Sequence, residues 1–224
     1  MKVNSYYSRK LHSLLGVIPL GAFLLEHMIT NYQAFNAGPE GFNSAVQFIQ
    51  GLPLVLFLEI FLIWIPLLYH GVYGLYVAYQ ARNNVTNFGY FRNHMFMWQR
   101  ITGVITFVYI VWHFYDTRFQ VTLGNVEHSD FGVLMHELLS NPIYFTLYVI
   151  GAVAASFHFS NGMWNFLVTW GITVGPRAQR VSAYIWGGVF VIMSIMFVMA
   201  LAGFTDESFA TEAVNTAATV TKIG

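Results

Sequence analysis

The sequence predicts an all-α membrane protein: a five-transmembrane-helix bundle with an internal two-helix repeat. Composition is the first observation behind this reading. Of 224 residues, 56% are hydrophobic and 9% are charged, and mean hydropathy is +0.55. A soluble domain carries about 25% charged residues, so these charges cannot cover a water-facing surface. The second observation is that apolar runs of roughly 20 residues, enough to cross a ~30 Å hydrocarbon core, recur five times. The third is a set of landmarks that return after a fixed interval. Cysteine is absent, which excludes disulfides, C-x-x-C-H haem attachment and cysteine-ligated iron–sulfur clusters within the chain.

The spans fall at about 11–33, 53–81, 96–119, 142–170 and 182–204. The first has no small-residue cleavage site and reads as a retained helix. Turn signals separate the spans: Gly38-Pro39 and Gly51-Leu52-Pro53, then Asn83, Asn84 and Asn87, then Asn141-Pro142, then Gly175-Pro176. Proline suits a first helical turn, where its missing N–H has no partner to lose. Two long outer loops carry apolar residues at helical spacing, Phe42, Val46 and Ile49 in one and Phe131, Leu134 and Leu138 in the other, which predicts short surface helices. Residues 1–205 form the bundle, and 206–224 are expected to be a polar tail outside the membrane.

Basic residues set the orientation. Lys2, Arg9, Lys10, Arg82, Arg92, Arg100, Arg177 and Arg180 fall on one side, Arg118 and Lys222 on the other, and no acidic residue shares the basic side. This predicts a multi-pass protein of the cytoplasmic membrane with its N-terminus cytoplasmic and its C-terminus outside. Below, "inner" means the basic half of the spans and "outer" the opposite half.

The repeat pairs Gly16 with Gly103, His27 with His113, Pro53 with Pro142, His70 with His158 and Gly74 with Gly162, at offsets of 86 to 89 residues. It implies a pseudo-two-fold axis along the membrane normal. Depth then sorts the histidines, because a helix rises 1.5 Å per residue. His27 and His113 lie 16 and 17 residues in from the inner ends of their spans; His70 and His158 lie 17 and 16 in from the outer ends. Each level therefore holds two imidazoles from different helices. A single intramembrane histidine is commonly a packing residue or a proton relay, but matched pairs at two depths are what two bis-histidine b haems require. His27 and His113 would ligate the outer iron, His70 and His158 the inner one.

Gly74 and Gly162, each four residues after an inner histidine, share its helix face and are expected to leave room for a porphyrin. The outer counterparts, Asn31 and Thr117, carry no such signal. Ser13, His12, Trp98 and Arg100 sit where inner-haem propionates would emerge, although Arg100 also fits a topology-setting charge and Trp98 an interfacial aromatic belt. His94 belongs to the inner interface, and His128 and His136 to an outer loop. Glu26 and Glu59 are intramembrane or near-interfacial carboxylates, which are functional candidates by default. Glu59 could exchange protons with a quinone near the outer haem; Glu26 adjoins a ligand.

With these residues in view, the chain resembles the dihaem cytochrome b membrane anchors of succinate:menaquinone oxidoreductases, the Gram-positive type of succinate dehydrogenase. The likeness covers about residues 5–204. It rests on the run from Arg9 to Pro19, Leu52-Pro53 through Phe61, Phe91-Arg92-Asn93, the run from Gln99 to Gly103, and the run from Thr169 to Val174. The resemblance implies a flavoprotein partner that oxidises succinate and an iron–sulfur partner that passes electrons to this anchor. It also implies menaquinone reduction near the outer haem, with no dicarboxylate chemistry on this chain and no nucleic acid among its partners. Direction is left open: a fumarate reductase anchor running in reverse, or the haem-containing anchor of another quinone-linked oxidoreductase, is the alternative. Quinol–cytochrome c oxidoreductases place inner and outer ligands on the same two helices, whereas here each ligand-bearing helix contributes one.

Overall fold

The structure, a computed structural model, describes residues 5–82 and 84–210. Lys2, Asn83, Lys222 and most of the expected tail fall outside them. Among the described residues all regular structure is helical, and five segments are long and apolar enough to cross a membrane: Tyr6–Asn36, Val55–Gln80, Phe91–Thr122, Pro142–Thr169 and Pro176–Gly203. The second and fourth match the predicted spans to within two residues, whereas the first, third and fifth begin five or six residues earlier because polar turns continue the helices beyond the apolar run. In the last of them, Arg177, Gln179 and Arg180 lie in the first turns.

The first span is α1 (Ser5–Val17) and α2 (Pro19–Asn36). It breaks at Ile18 because Pro19 has no N–H to donate. Hydrogen bonds from Ile18 N to Leu14 O (2.9 Å) and from Ala22 N to Ile18 O (3.1 Å) keep the two pieces in register. Next comes α3 (Gly38–Gln50), one of the two predicted surface helices, whose first residue Gly38 has φ +61°. The second span opens with α4 (Val55–Leu58), widens into a π-helical turn Glu59–Trp64, and continues as α5 (Ile65–Gln80). The wide turn ends two residues before Pro66, where the helix ladder loses a donor.

The third span is α6 (Phe91–Asp116) and α7 (Arg118–Thr122), interrupted at Thr117. The second surface helix is α8 (Phe131–Leu139). Both α9 (Pro142–Thr169) and α10 (Pro176–Gly203) begin on proline. Large apolar side chains face outward along the spans, among them Leu68, Val108 and Tyr184. That is the pattern of helices solvated by lipid. Between the buried rings of Tyr148 and Trp164, the buried surface of α9 is small or polar instead: Ala152, Ala155, Ser156, Ser160 and Asn161, residues that let helix backbones approach closely.

The chain divides into two compact units. One contains the chain up to Leu25, Leu56–Val108 and Val153–Ser194; the other contains Glu26–Val55, Tyr109–Ala152 and the chain from Ile195. In the first, α1 packs on α5. There the Trp164 indole donates to Gln179 O (3.0 Å), and the Arg92 guanidinium donates to the Gln179 side-chain oxygen (2.6 Å).

In the second unit, α3 packs on α8. The Phe42 ring meets Phe204 edge-on at 4.9 Å, and Phe204 meets Phe209 at 5.3 Å. His136 Nδ1 donates to Phe204 O (2.9 Å), so His136 fastens the end of α10. Phe209 is fully buried, so the segment expected to leave the protein as an exposed tail first folds back onto this cluster. An aromatic ring with apolar neighbours within reach is more stable covered than wet. Asp206 caps the return by accepting the Ser208 N–H (2.8 Å). Its carboxyl is held below the usual carboxylate range by the Ser208 side chain and then its N–H. That cap is therefore present at neutral pH and is lost only as acid protonates the depressed group.

Gly203 lies where α10 meets the end of α2: a Cβ there would come 2.6 Å from the Ala34 carbonyl carbon and 2.7 Å from Phe35 Cα. Because the neighbours are backbone, they cannot rotate away. Gly203→Val is expected to destabilise the protein by about 1–3 kcal/mol, read as a lower thermal midpoint of the detergent-solubilised protein. A midpoint equal to that of the unsubstituted chain would show that the contact is not tight.

Candidate functional site

Four helices bring the four predicted histidines together in two pairs, and each pair lies within one unit. His70 on α5 and His158 on α9 have ring centroids 6.0 Å apart with planes at 82°. His27 on α2 and His113 on α6 are 5.8 Å apart with planes at 69°.

The inner pair is held by a reciprocal arrangement that occurs twice. His70 Nδ1 donates to the His12 carbonyl (2.9 Å), and His158 Nδ1 donates to the Gln99 carbonyl (3.0 Å). In return the His12 ring bonds the His70 carbonyl, and Gln99 Nε2 donates to the His158 carbonyl (2.9 Å). His12 also stacks on His70, centroids 4.1 Å apart and planes within 5°. Gln99 is fixed from its other side, its Oε1 accepting from Asn161 Nδ2 (2.6 Å).

Glycines make these bonds geometrically accessible. A side chain four residues on stands over the carbonyl of residue i, since i and i+4 share a helix face. Gly16 and Gly103 stand four residues after His12 and Gln99. A Cβ on Gly103 would lie 2.8 Å from His158 Cε1, and one on Gly16 would collide with the His70 ring. Gly74 and Gly162 stand four residues after His70 and His158. A Cβ on them would lie 3.0 Å from His12 Nε2 and 3.2 Å from Gln99 Nε2. Besides the porphyrin room expected of them, Gly74 and Gly162 have nearer protein neighbours: they let His12 and Gln99 reach the carbonyls behind the inner histidines.

With Nδ1 carrying the proton to a carbonyl, Nε2 of His70 and of His158 is left as the lone-pair nitrogen. This is how a ligating imidazole is usually fixed. The outer pair is held differently. Asn31 Nδ2 donates to the His27 carbonyl (2.7 Å) and Thr117 Oγ1 to the His113 carbonyl (2.6 Å), equivalent positions in the repeat. His113 lies against Tyr109 (5.8 Å, 22°) and the edge of Tyr148 (5.7 Å, 81°). Its Nδ1 is buried without a hydrogen-bond partner among the described residues.

These pairs fit an iron held from both faces. With metal–imidazole bonds of about 2 Å, two rings on opposite sides of one metal have centroids roughly 6 Å apart. Among the described residues no group of three or more His, Cys, Asp or Glu converges. Two imidazoles alone would suit a metal whose other ligands arrive with it, as porphyrin nitrogens do.

The remaining predicted residues are more scattered in role. Ser13 Oγ donates to Lys10 O (2.9 Å) and accepts from the Trp170 indole (3.1 Å). Lys10 Nζ donates to Thr169 O (2.7 Å) and lies over the Trp170 ring at 4.6 Å. Trp98 is 45% exposed. Arg100 lines an open groove of about 540 Å³ with Leu75, Ala78, Met97 and Ile101. Glu59 is half-buried at the first position of the π-helical turn. Glu26 is exposed and accepts from Thr30 Oγ1 (2.7 Å).

His12 lies inside the support of His70 rather than apart from it at the interface, because α1 packs along α5. Sequence reasoning missed Gln99 and Asn161, although Gln99 stands 87 residues after His12, the interval of the repeat. If the glycines expose the inner-pair carbonyls, Gly16→Val and Gly103→Val should each remove one haem per chain and spare the outer pair. Haem counted per polypeptide checks this; an unchanged count in both variants would refute it.

The chain resembles known proteins over nearly its whole length. Over 201 residues the chain is 46% identical to the succinate dehydrogenase cytochrome b558 subunit of Bacillus subtilis (strain 168), covering 90% of this chain and 98% of that protein. Residues 90–197, which hold His113, His158 and the Gln99 support, match the family described as succinate dehydrogenase/fumarate reductase transmembrane subunit. Fold, length and identity over nearly the whole chain lead to one conclusion: this chain belongs to the succinate dehydrogenase/fumarate reductase transmembrane subunit family.

Proposed function

We propose that the chain is the membrane-anchor cytochrome b of a succinate:menaquinone oxidoreductase. In this reading a flavoprotein and an iron–sulfur subunit on the cytoplasmic side supply electrons, and two b haems in this chain carry them to menaquinone. The observation that carries it is the pair of imidazole couples at 6.0 and 5.8 Å, each in equivalent positions of an internal repeat. The relative of 46% identity, named as a cytochrome b subunit, supports it.

His70 and His158 would hold the inner haem iron, His27 and His113 the outer one. Bound haem supplies one-electron redox chemistry at its iron. The protein's part is to fix the ligand nitrogens, exclude water and set the polarity around each pair, the levers by which a haem site is tuned. Main-chain carbonyls orient the inner ligands, and the Ser13–Lys10–Trp170 group, with Trp98 and Arg100, is the polar end available to propionates. Glu59 is proposed to exchange protons with quinone at the outer side. Dicarboxylate chemistry falls to the partners.

Purified from haem-replete cells, the protein should show a reduced b-type α band with about two haems per chain, and should bring a flavoprotein and an iron–sulfur subunit with it. A colourless preparation would end this reading. In redox titrations, His70→Tyr and His158→Tyr should abolish the same haem, and His27→Tyr and His113→Tyr the other. Loss of one common haem from His27→Tyr and His70→Tyr would show the pairing to be wrong. Glu59→Gln should slow quinone reduction by roughly tenfold or more while leaving both haems in place; an unchanged rate would remove Glu59 from the proton step.

A further inference from the structure

Beside the outer pair, polar atoms are buried together without partners. Asp116 is the last residue of α6, three residues after His113, and the one acidic residue in that helix. Its carboxyl accepts a hydrogen bond from Trp112, yet its Oδ2 is enclosed and unpartnered among the described residues. Tyr148 on α9 is wholly buried, and its hydroxyl is likewise unpartnered. The Tyr148 ring packs on Trp112 at 5.0 Å, on Tyr109 at 5.5 Å and on His113 at 5.7 Å. Asp116 and Tyr148 interact electrostatically.

Buried polar groups are almost always hydrogen-bonded, and each exception asks for an explanation. Here a carboxylate oxygen and a phenol hydroxyl lie in one aromatic cluster around a predicted haem ligand. Folding alone gives no reason to keep them: Phe in place of Tyr148 would pack as well without a stranded hydroxyl, and an aliphatic residue would end α6. Enclosure also argues against a ligand docking on these atoms directly. A group that takes and gives up a proton needs both a protected position and a free lone pair.

We propose that Asp116 is a proton-relay carboxylate for quinone reduction at the outer haem, with Tyr148 and Trp112 positioning it. This rests on the function proposed above and adds a second carboxylate to Glu59. Per quinone, two electrons would come from the partner dehydrogenase, with the haem of the outer pair, when bound, supplying one-electron chemistry. Two protons enter from the outer aqueous side, and two O–H bonds form on the quinone oxygens, giving the hydroquinone. Asp116 passes a proton inward and is reprotonated from outside. Of the titratable or charged groups, Tyr148 faces it directly; Tyr109, Tyr144 and His113 pack with or interact with Tyr148, His27 faces His113, and Arg118 follows two residues on in the chain.

The test uses the intact complex with Asp116→Asn, Asp116→Glu and Tyr148→Phe. Haem content and dye-linked succinate oxidation, which bypasses the anchor, serve as assembly controls. Asp116→Asn should keep both haems and lower kcat for a soluble menaquinone analogue roughly tenfold or more, with KM changed by no more than about twofold. Asp116→Glu should restore most of the rate, and Tyr148→Phe should lower it less than Asp116→Asn. Redox-difference infrared spectra should lose a carboxylic-acid C=O band in Asp116→Asn alone. An unchanged kcat or a persisting band would overturn the relay, even with Glu59→Gln inactive. Loss of haem from Asp116→Asn would overturn it too, making Asp116 a structural support. An unsubstituted complex unable to reduce quinone would refute the proposed function itself.

Discussion

An imidazole buried in a lipid-embedded helix bundle cannot leave its nitrogens to water, and this constraint organises the structure. An unsatisfied polar group in hydrocarbon costs several kcal/mol. Each buried ring must therefore find a partner or be given one by a ligand. For the inner pair the partner is a main-chain carbonyl of a neighbouring helix. That oxygen already accepts a bond within its own helix, and only a missing side chain four residues on lets a second donor reach it. Four glycines, two on each side of a reciprocal exchange, follow from this geometry. Replacing any of them would do more than crowd a ring, since it would also take away the carbonyl that fixes the tautomer.

The repeat explains why the same solution appears twice. His12 and Gln99 occupy equivalent places and lend equivalent carbonyls. They differ in what they return: His12 stacks on the ring it supports, whereas Gln99 is locked by Asn161. The local environments of His70 and His158 are therefore alike in hydrogen bonding and unlike in polarity, an asymmetry that the proposed ligation would place on one iron rather than between two. On α9, Asn161 and Gly162 adjoin, so the small and polar residues that permit close helix approach also carry the support of the inner pair.

Much of this was legible in the sequence, for physical reasons. Nine per cent charge and a bilayer-length apolar period leave little freedom in fold class, and depth along a helix follows from residue counting. That placed four histidines at two levels. Counting along one helix cannot say what faces it, however. Gly74 and Gly162 were correctly put on the histidine face, but their neighbours, His12 and Gln99, lie on other helices. Gln99 drew no attention because an amide neither titrates nor ligates. The π-helical turn before Pro66 and the break at Pro19 are local backbone responses that an apolar run conceals. Phe209, lone and aromatic in a polar stretch, was a signal that the chain there returns to the protein.

The two pairs differ in one further respect. Around the inner rings, Nδ1 of both histidines and the amide of Gln99 are committed to named partners, an environment suited to holding an iron still while its charge changes by one electron. Around the outer pair the backbone carbonyls are capped by Asn31 and Thr117, which steadies the helices. His113 Nδ1, Asp116 Oδ2 and the Tyr148 hydroxyl are enclosed and unpartnered among the described residues. Electron transfer needs little rearrangement of protons, whereas reduction of a quinone consumes them. A protein that separates these tasks would satisfy every polar atom at the site that only carries electrons, and would leave lone pairs open where protons must move. The distribution of satisfied and unsatisfied atoms between the two pairs has that form.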